Sequence, residues 1–314
     1  MRYYFAPLEG LTDSIFRSLH HKYFPGIDRY YTPFLSPTVH RKLTPREARE
    51  LPRADTLDFE VVPQLLTKTP EDFLWMAGVC KELGYREVNL NLGCPSGTVT
   101  AKGKGSGMLK EPETLAGFLD EIFAATPIDI SIKTRLGYTS AEEFPRLLEI
   151  FNRYPIKELT LHPRVRSAFY NGPVDMASFQ YAADNSRAPL CYNGNLCSVS
   201  EITAIQKKFP QVGAVMLGRG LIADPGMFSA DGNDLVRLEN FYNALLEAYI
   251  DAFGGSRNAM FRMKENWHYL LLRFEGSEKL GKQLRKTTDL NQYKQITHQI
   301  FTTLSLKESF RLDG

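Results

Sequence analysis

Cysteine and tryptophan are scarce in this chain: four Cys and two Trp among 314 residues. Cys80, Cys94, Cys191 and Cys197 are too few and too irregular for a disulfide framework, and the step from Cys191 to Cys197 matches no common zinc spacing. Reduced thiols in a cytoplasmic protein, with no metal site, are the expectation. No run of 18 apolar residues occurs, so no membrane span is expected. The stretch from Met1 to Pro7 lacks the long apolar core of a secretory signal. A strong excess of one charge is absent too. The net charge is +2, which by itself selects no class of partner. Its distribution is more informative. Residues 235–314 hold 12 Lys and Arg against 9 Asp and Glu, whereas residues 1–234 hold 26 against 27.

What the chain does contain is a large apolar fraction, 43%, arranged in a regular alternation. Short β-branched or aromatic runs predict strands over 3–6, 29–32, 60–65, 87–91, 129–133, 158–162, 190–192 and 214–217. Helical spacing fills the intervals 71–83, 113–125, 141–154 and 199–209. Eight βα units over about 230 residues are the size of a (β/α)8 TIM barrel, with a doubly wound sheet as the alternative. The stretch 43–56, rich in Pro, Arg and Glu, reads as a surface excursion. From about residue 235 the pattern turns purely helical, over 237–253, 258–274, 278–286 and 291–304. The expected organisation is therefore an α/β barrel, residues 1–234, with a C-terminal all-α helical domain, residues 235–314.

Barrel enzymes carry their chemistry at the carboxyl ends of the strands. The residues falling there are polar. Pro7-Leu8-Glu9 follows the first strand, Gln64 lies in the third, Asn91 and Cys94 end the fourth, Lys133 and Arg135 the fifth, and His162 the sixth. Asn193-Gly194-Asn195 follows the seventh and Gly218-Arg219-Gly220 the eighth. A lysine in the apolar run 130–133 is costly unless an anion is near, either a barrel glutamate or a ligand. The last two glycine turns suit phosphate binding through backbone N–H groups, although ordinary helix-starting turns look the same. With Gln64 and Lys133 they suit a phosphorylated planar cofactor, the lysine stabilising negative charge on its reduced ring. Cys94 is held between Gly93 and Pro95, ahead of a loop with Gly97, Gly103, Gly105 and Gly107 that carries Lys102 and Lys104. That order suggests a reactive thiol beneath a mobile basic lid. Cys80, in a helical interval, reads as a small buried hydrophobe.

Several of these stretches resemble the tRNA-dihydrouridine synthase family of FMN-dependent barrel enzymes. They are Phe5-Ala6-Pro7-Leu8-Glu9-Gly10, Asn89-Leu90-Asn91-Leu92-Gly93-Cys94-Pro95, Lys133-Thr134-Arg135, His162-Pro163-Arg164, Tyr192-Asn193-Gly194-Asn195, Met216-Leu217-Gly218-Arg219-Gly220 and Lys282-Gln283-Leu284-Arg285-Lys286. The resemblance covers nearly the whole chain in order. It implies FMN surrounded by Pro7, Leu8, Glu9, Gln64, Lys133, His162, Asn193, Gly194, Asn195, Gly218 and Arg219. It implies Cys94 as the proton donor in reduction of a uracil C5–C6 double bond within tRNA, with NADPH or NADH as reductant. Asn91, His162, Arg164 and Tyr170 would contact the substrate, Lys102 and Lys104 would close over it, and Lys279, Lys282, Arg285 and Lys286 would meet the tRNA backbone from one helix face. A cytoplasmic monomer is expected. Two other readings remain at this stage: a flavin barrel reducing a free small molecule such as a pyrimidine, and a non-catalytic RNA-binding module that needs no flavin.

Overall fold

A computed structural model of the chain describes residues 1–38, 40–229, 232 and 234–312. Its strands are β1 (Arg2–Phe5), β2 (Arg29–Tyr31), β3 (Val61–Val62), β4 (Gln64–Leu65), β5 (Glu87–Leu92), β6 (Asp129–Arg135), β7 (Leu159–His162), β8 (Leu190–Tyr192) and β9 (Ala214–Leu217). Their order is β3-β2-β1-β9-β8-β7-β6-β5-β4, and every pairing is parallel. β3 and β4 are two halves of one stave. A continuous strand is expected over 60–65, but Pro63 has no N–H for the ladder and interrupts it. β3 pairs with β2 and β4 with β5, so the ring closes at this break. The architecture is thus the expected TIM barrel followed by a helical C-terminal part.

Side chains alternate across each stave with period two. In β5, Val88, Leu90 and Leu92 face outward into the main core with Ile130, Ile132, Leu159 and Leu161 of the neighbouring staves. Asn89 and Asn91 belong to the opposite, inward set. There they join a polar ladder in which Gln64 Nε2 donates to Asn89 Oδ1 at 2.8 Å and Asn91 Nδ2 donates to Gln64 Oε1 at 2.8 Å. A separate inner cluster of Tyr4, Ala6, Tyr31, Val62, Cys191, Ala214 and Met216 fills the barrel.

Four segments differ from expectation. The helices Ser14–Tyr23 and Met176–Asn185 fill intervals in which no helical spacing was read, because much of each is polar and only a few of its residues are buried. The 43–56 stretch is not merely superficial. It holds a helix, Pro45–Glu50, started by a Thr44–Glu47 capping box, and Glu50 accepts from buried Arg17 at 2.7 Å. The glycine loop after Cys94 is regular, with a helix Gly97–Thr100, a 3-10 turn Gly105–Lys110 and residues 105–109 buried.

The C-terminal helices are Leu235–Phe253, Ser256–Leu270, Glu278–Lys286 and Leu290–Thr303. The first is capped by Asp234 and ends on Gly254, which adopts φ +66°. Its stripe of Leu238, Phe241, Tyr242, Leu245 and Tyr249 recurs every three to four residues. Phe241 meets Phe16 and Phe24 edge-on, and Tyr249 donates to Asp13 at 3.0 Å, which fixes the helical part against the barrel wall. After the last helix, Leu306 pairs with Phe274 in an antiparallel bridge, the one strand-like contact among the described residues of this part.

Candidate active site at the barrel mouth

The carboxyl ends of the staves surround an open cavity lined by polar and apolar side chains. Every position that the resemblance assigns to a cofactor lines it: Pro7, Leu8, Glu9, Gln64, Lys133, His162, Asn193, Gly194, Asn195, Gly218 and Arg219. So do Asn91, Cys94 and Tyr170. The barrel topology explains the gathering, because these residues sit at the carboxyl ends of the staves or in the loops that follow them.

Cys94 is held by its backbone. Asn91 Oδ1 accepts from the N–H of Gly93 at 3.0 Å and of Cys94 at 2.9 Å, while Ser106 donates its hydroxyl to Cys94 O at 2.8 Å. Gly105 makes this closure possible. Its φ is +57°, and a Cβ there would stand 3.1 Å from Cys94 Cβ. Burial pushes the Cys94 thiol above its usual pKa, more than the nearby Arg135 and Lys133 pull it down. The sulfur therefore keeps its proton at neutral pH.

The cavity wall is cationic. Burial, followed by the neighbouring Arg135, pulls the Lys133 ammonium down to about 8. Lys133 forms no ion pair with any described residue. Arg135 is buried and spends its donors on carbonyls: Gly93 O at 2.8 Å, Val165 O at 3.1 Å and Phe169 O at 2.6 Å. Arg219 donates to Asn195 Oδ1 at 3.1 Å. The one carboxylate among the described lining residues is Glu9, which is paired with Arg46 at the surface. A wall that carries Lys133 and Arg135 without an ion pair to any described carboxylate fits an anionic ligand. The Gly218-Arg219-Gly220 turn packs so closely on the Asn193–Leu196 turn that a Cβ at Gly220 would fall 2.1 Å from Leu196 O.

His162 is neutral. Burial, then the surrounding cations, hold its imidazole well below the usual value. Arg164 Nη1 lies 3.0 Å from His162 Nε2. A guanidinium can only donate, so Nε2 carries the lone pair and Nδ1 the hydrogen. Arg164, expected to contact substrate, instead lies buried behind His162 and also donates to Asn195 Oδ1 and Gly172 O. The Tyr170 ring lies between the guanidinium groups of Arg219 at 4.6 Å and Arg135 at 5.4 Å, and 5.9 Å from the His162 ring.

The remaining expected substrate residues are not brought to the cavity. Lys104 donates to Ser36 Oγ at 2.9 Å, and Lys102 is exposed nearby. Lys279, Lys282, Arg285 and Lys286 are all exposed along the helix Glu278–Lys286. Conversely, the cavity includes Phe34 and Leu312, which are missing from the residues expected there, and Arg135, which is expected at a strand end but given no role in the site. Arg135 carries a readable signal, since it lies two residues beyond Lys133 on the same stave and therefore on the same face. Leu312 carries none, because tertiary folding alone brings it to the mouth.

Among the described residues no three His, Cys, Asp or Glu side chains gather as a metal site, and no helix is long and apolar enough to cross a membrane. All four cysteines are free.

The chain matches the family model described as Dihydrouridine synthase (Dus) over residues 4–304. Probable tRNA-dihydrouridine synthase 1 of Synechocystis sp. is 31% identical over 229 residues, which cover 70% of this chain and 61% of that protein. The match thus spans under two thirds of that relative. tRNA-dihydrouridine synthase B of Escherichia coli K12 is 25% identical over 227 residues, 71% of this chain and 68% of the relative. Among solved structures, a variant of morphinone reductase in complex with tetrahydroNAD superposes with a TM-score of 0.52 at 12% identity, over 72% of this chain and 85% of that one. A histamine dehydrogenase from Rhizobium sp. 4-9 gives 0.55 at 14% identity, over 72% and 45%. At these identities the structural likeness speaks for the barrel alone.

Proposed function

This chain belongs to the dihydrouridine synthase family, and on that premise we propose that it reduces the C5–C6 double bond of uridines in tRNA. FMN is the cofactor in this reading, NADPH or NADH the reductant and Cys94 the proton donor. The observation that carries it is a protonated thiol in the same cavity as a lysine with no ion pair among the described residues.

The residues present fit an anionic, phosphorylated cofactor. The turns at Asn193-Gly194-Asn195 and Gly218-Arg219 would hold its phosphate. Lys133 and Gln64 would face its ring, with Pro7 and Leu8 against the apolar part. When bound, FMN reduced by the nicotinamide supplies a hydride to C6 of the uracil. The chain's residues do the rest. Asn91 and Tyr170 orient the base, and His162 offers it a single donor, Nδ1–H. Cys94 delivers its proton to C5, and solvent returns a proton to the thiolate. One nicotinamide and one proton are consumed for each uridine reduced. Lys133 stabilises negative charge on the cofactor side of the cavity. A stacked base reaches this depth only after leaving its helix.

Residues 1–234 are then the catalytic barrel and residues 235–314 the tRNA-binding part, with Lys279, Lys282, Arg285 and Lys286 against phosphates and Lys102 and Lys104 beside the mouth. We infer a cytoplasmic monomer. The purified protein should be yellow and should form dihydrouridine in unmodified tRNA in preference to free uridine. Cys94→Ala should retain flavin absorbance yet lose about 10²- to 10⁴-fold in dihydrouridine formation, the range expected when a general acid is removed. Full activity in that variant would sink the assignment, and a colourless protein that cannot take up FMN would sink the flavin reading.

A further inference from the structure

We propose that the Phe169 ring is a stacking platform for the nucleobase next to the one that enters the cavity, an inference that rests on the RNA substrate proposed above. The loop after β7 makes a 3-10 turn, Arg166–Ala168, and then places Phe169 at φ +50°, ψ −104°. Non-glycine residues seldom adopt positive φ, and a bulky side chain there is strained. The conformation is held from both sides. Phe169 N–H donates to Arg166 O at 3.0 Å, and Phe169 O accepts from buried Arg135 at 2.6 Å.

This reversal sends consecutive aromatic rings to different places. Tyr170 lines the cavity, whereas Phe169 remains 41% exposed beside its mouth. Burial therefore offsets little of the strain. One face of the ring is covered by the Arg166 guanidinium, 5.1 Å from its centroid. Arg166 is itself tied to the Cys94 loop, donating to Pro95 O at 3.1 Å and to Thr100 Oγ1 at 3.3 Å. The ring is thus a fixed apolar plate at the rim, backed by a cation and attached to the segment that carries the proton donor. A base that leaves its stack uncovers the face of its neighbour, and an aromatic side chain can replace the lost partner without regard to sequence.

The test compares wild type, Phe169→Ala, Phe169→Gly and Phe169→Trp as flavin-loaded protein on whole unmodified tRNA. Flavin absorbance and thermal midpoint are measured alongside. Ala and Gly should each raise KM for tRNA about tenfold with kcat changed less than about twofold, while Trp should restore KM to within about twofold of wild type. Glycine relieves the strain without supplying a ring, so a Gly variant with wild-type KM would overturn the proposal and leave only turn geometry. A Trp variant as poor as Ala would overturn it too. If wild type forms no dihydrouridine in tRNA, the RNA reading falls and takes this inference with it. If wild type is active and Ala is equally active, only the inference falls.

Discussion

The two ends of the barrel both bury charge, but only one balances it. At the amino-terminal floor, Arg29 is paired with Glu87 at 3.1 Å and Glu60 at 2.7 Å, and Glu158 accepts from Arg2 at 2.9 Å and Tyr4 at 3.0 Å. At the carboxyl-terminal mouth, Lys133 lacks an ion-pair partner among the described residues, and Arg135 donates to three carbonyls beside the Tyr170 ring. The floor sets cations against anions; the mouth is cationic, and the one carboxylate among its described lining residues is turned to Arg46. A protein that needed charge only for its fold would pair it in both places. The difference separates charges that hold the barrel from charges kept for something that binds there.

Stability measurements are the hardest test of that contrast. Arg29→Met removes the partner of nearly buried Glu87 and should cost about 3–5 kcal/mol, read by denaturant unfolding. The double change Arg29→Met with Glu87→Leu should recover most of the loss, because burial already raises the Glu87 carboxyl despite Arg29 beside it. Lys133→Met should behave in the opposite way. Removing a half-buried ammonium with no ion pair among the described residues should leave the flavin-free protein no less stable, while FMN affinity falls by about 1.5–3 kcal/mol, the range for a charged hydrogen bond. Equal stability losses from Arg29→Met and Lys133→Met would erase the distinction between the two ends.

The same contrast explains what could be read from the chain beforehand. Staves such as 87–91 and 129–133 are legible because buried parallel strands are apolar runs with polar residues at regular places. Cys94, Asn91 and Lys133 are legible because such residue types are out of place at strand ends unless they have a task. What escaped depends on contacts between distant residues. Arg135 is legible as a polar residue just past the 129–133 run, but its pairing with His162, which extends β6, and its burial are not. The glycine loop reads as a free lid, but Lys104 reaches Ser36 and Ser106 reaches Cys94 O, contacts that no local pattern contains. Arg164 looks like a substrate contact beside His162, yet the fold turns it inward to fix the imidazole. The exposure and strain of Phe169 are likewise properties of the folded loop.

A second prediction follows the mouth through pH. The Lys133 pKa is pulled down to about 8, while an unfolded lysine titrates near about 10.4. Between those values the unfolded chain binds more protons, so this group adds stability to the flavin-free protein as pH rises from 8 towards 10.4. An anionic ligand reverses the preference by favouring the ammonium. FMN affinity should therefore be flat below about pH 8 and fall above it, by at most roughly tenfold per pH unit. Fluorescence titration of FMN across pH 7–10 checks this, and Lys133→Met should flatten the profile. A wild-type profile that stays flat through pH 10 would mean that the lysine does not face the ligand.

The smallest effects belong to a third kind of charge, neither buried nor paired among the described residues. Lys279, Lys282, Arg285 and Lys286 are exposed on one short helix whose apolar side, Leu280 and Leu284, is buried. Water already solvates these groups, so their fold contribution is slight. Lys282→Gln should shift stability by less than about 0.5 kcal/mol and leave FMN affinity unchanged. If the helix lies along tRNA, each lost cation removes one phosphate contact, and the slope of log binding constant against log salt should decrease by about 1. Binding measured between 50 and 200 mM salt would show it. A wild-type slope in a variant lacking all four cations would move the RNA-binding surface elsewhere, while leaving the contrast between floor and mouth intact.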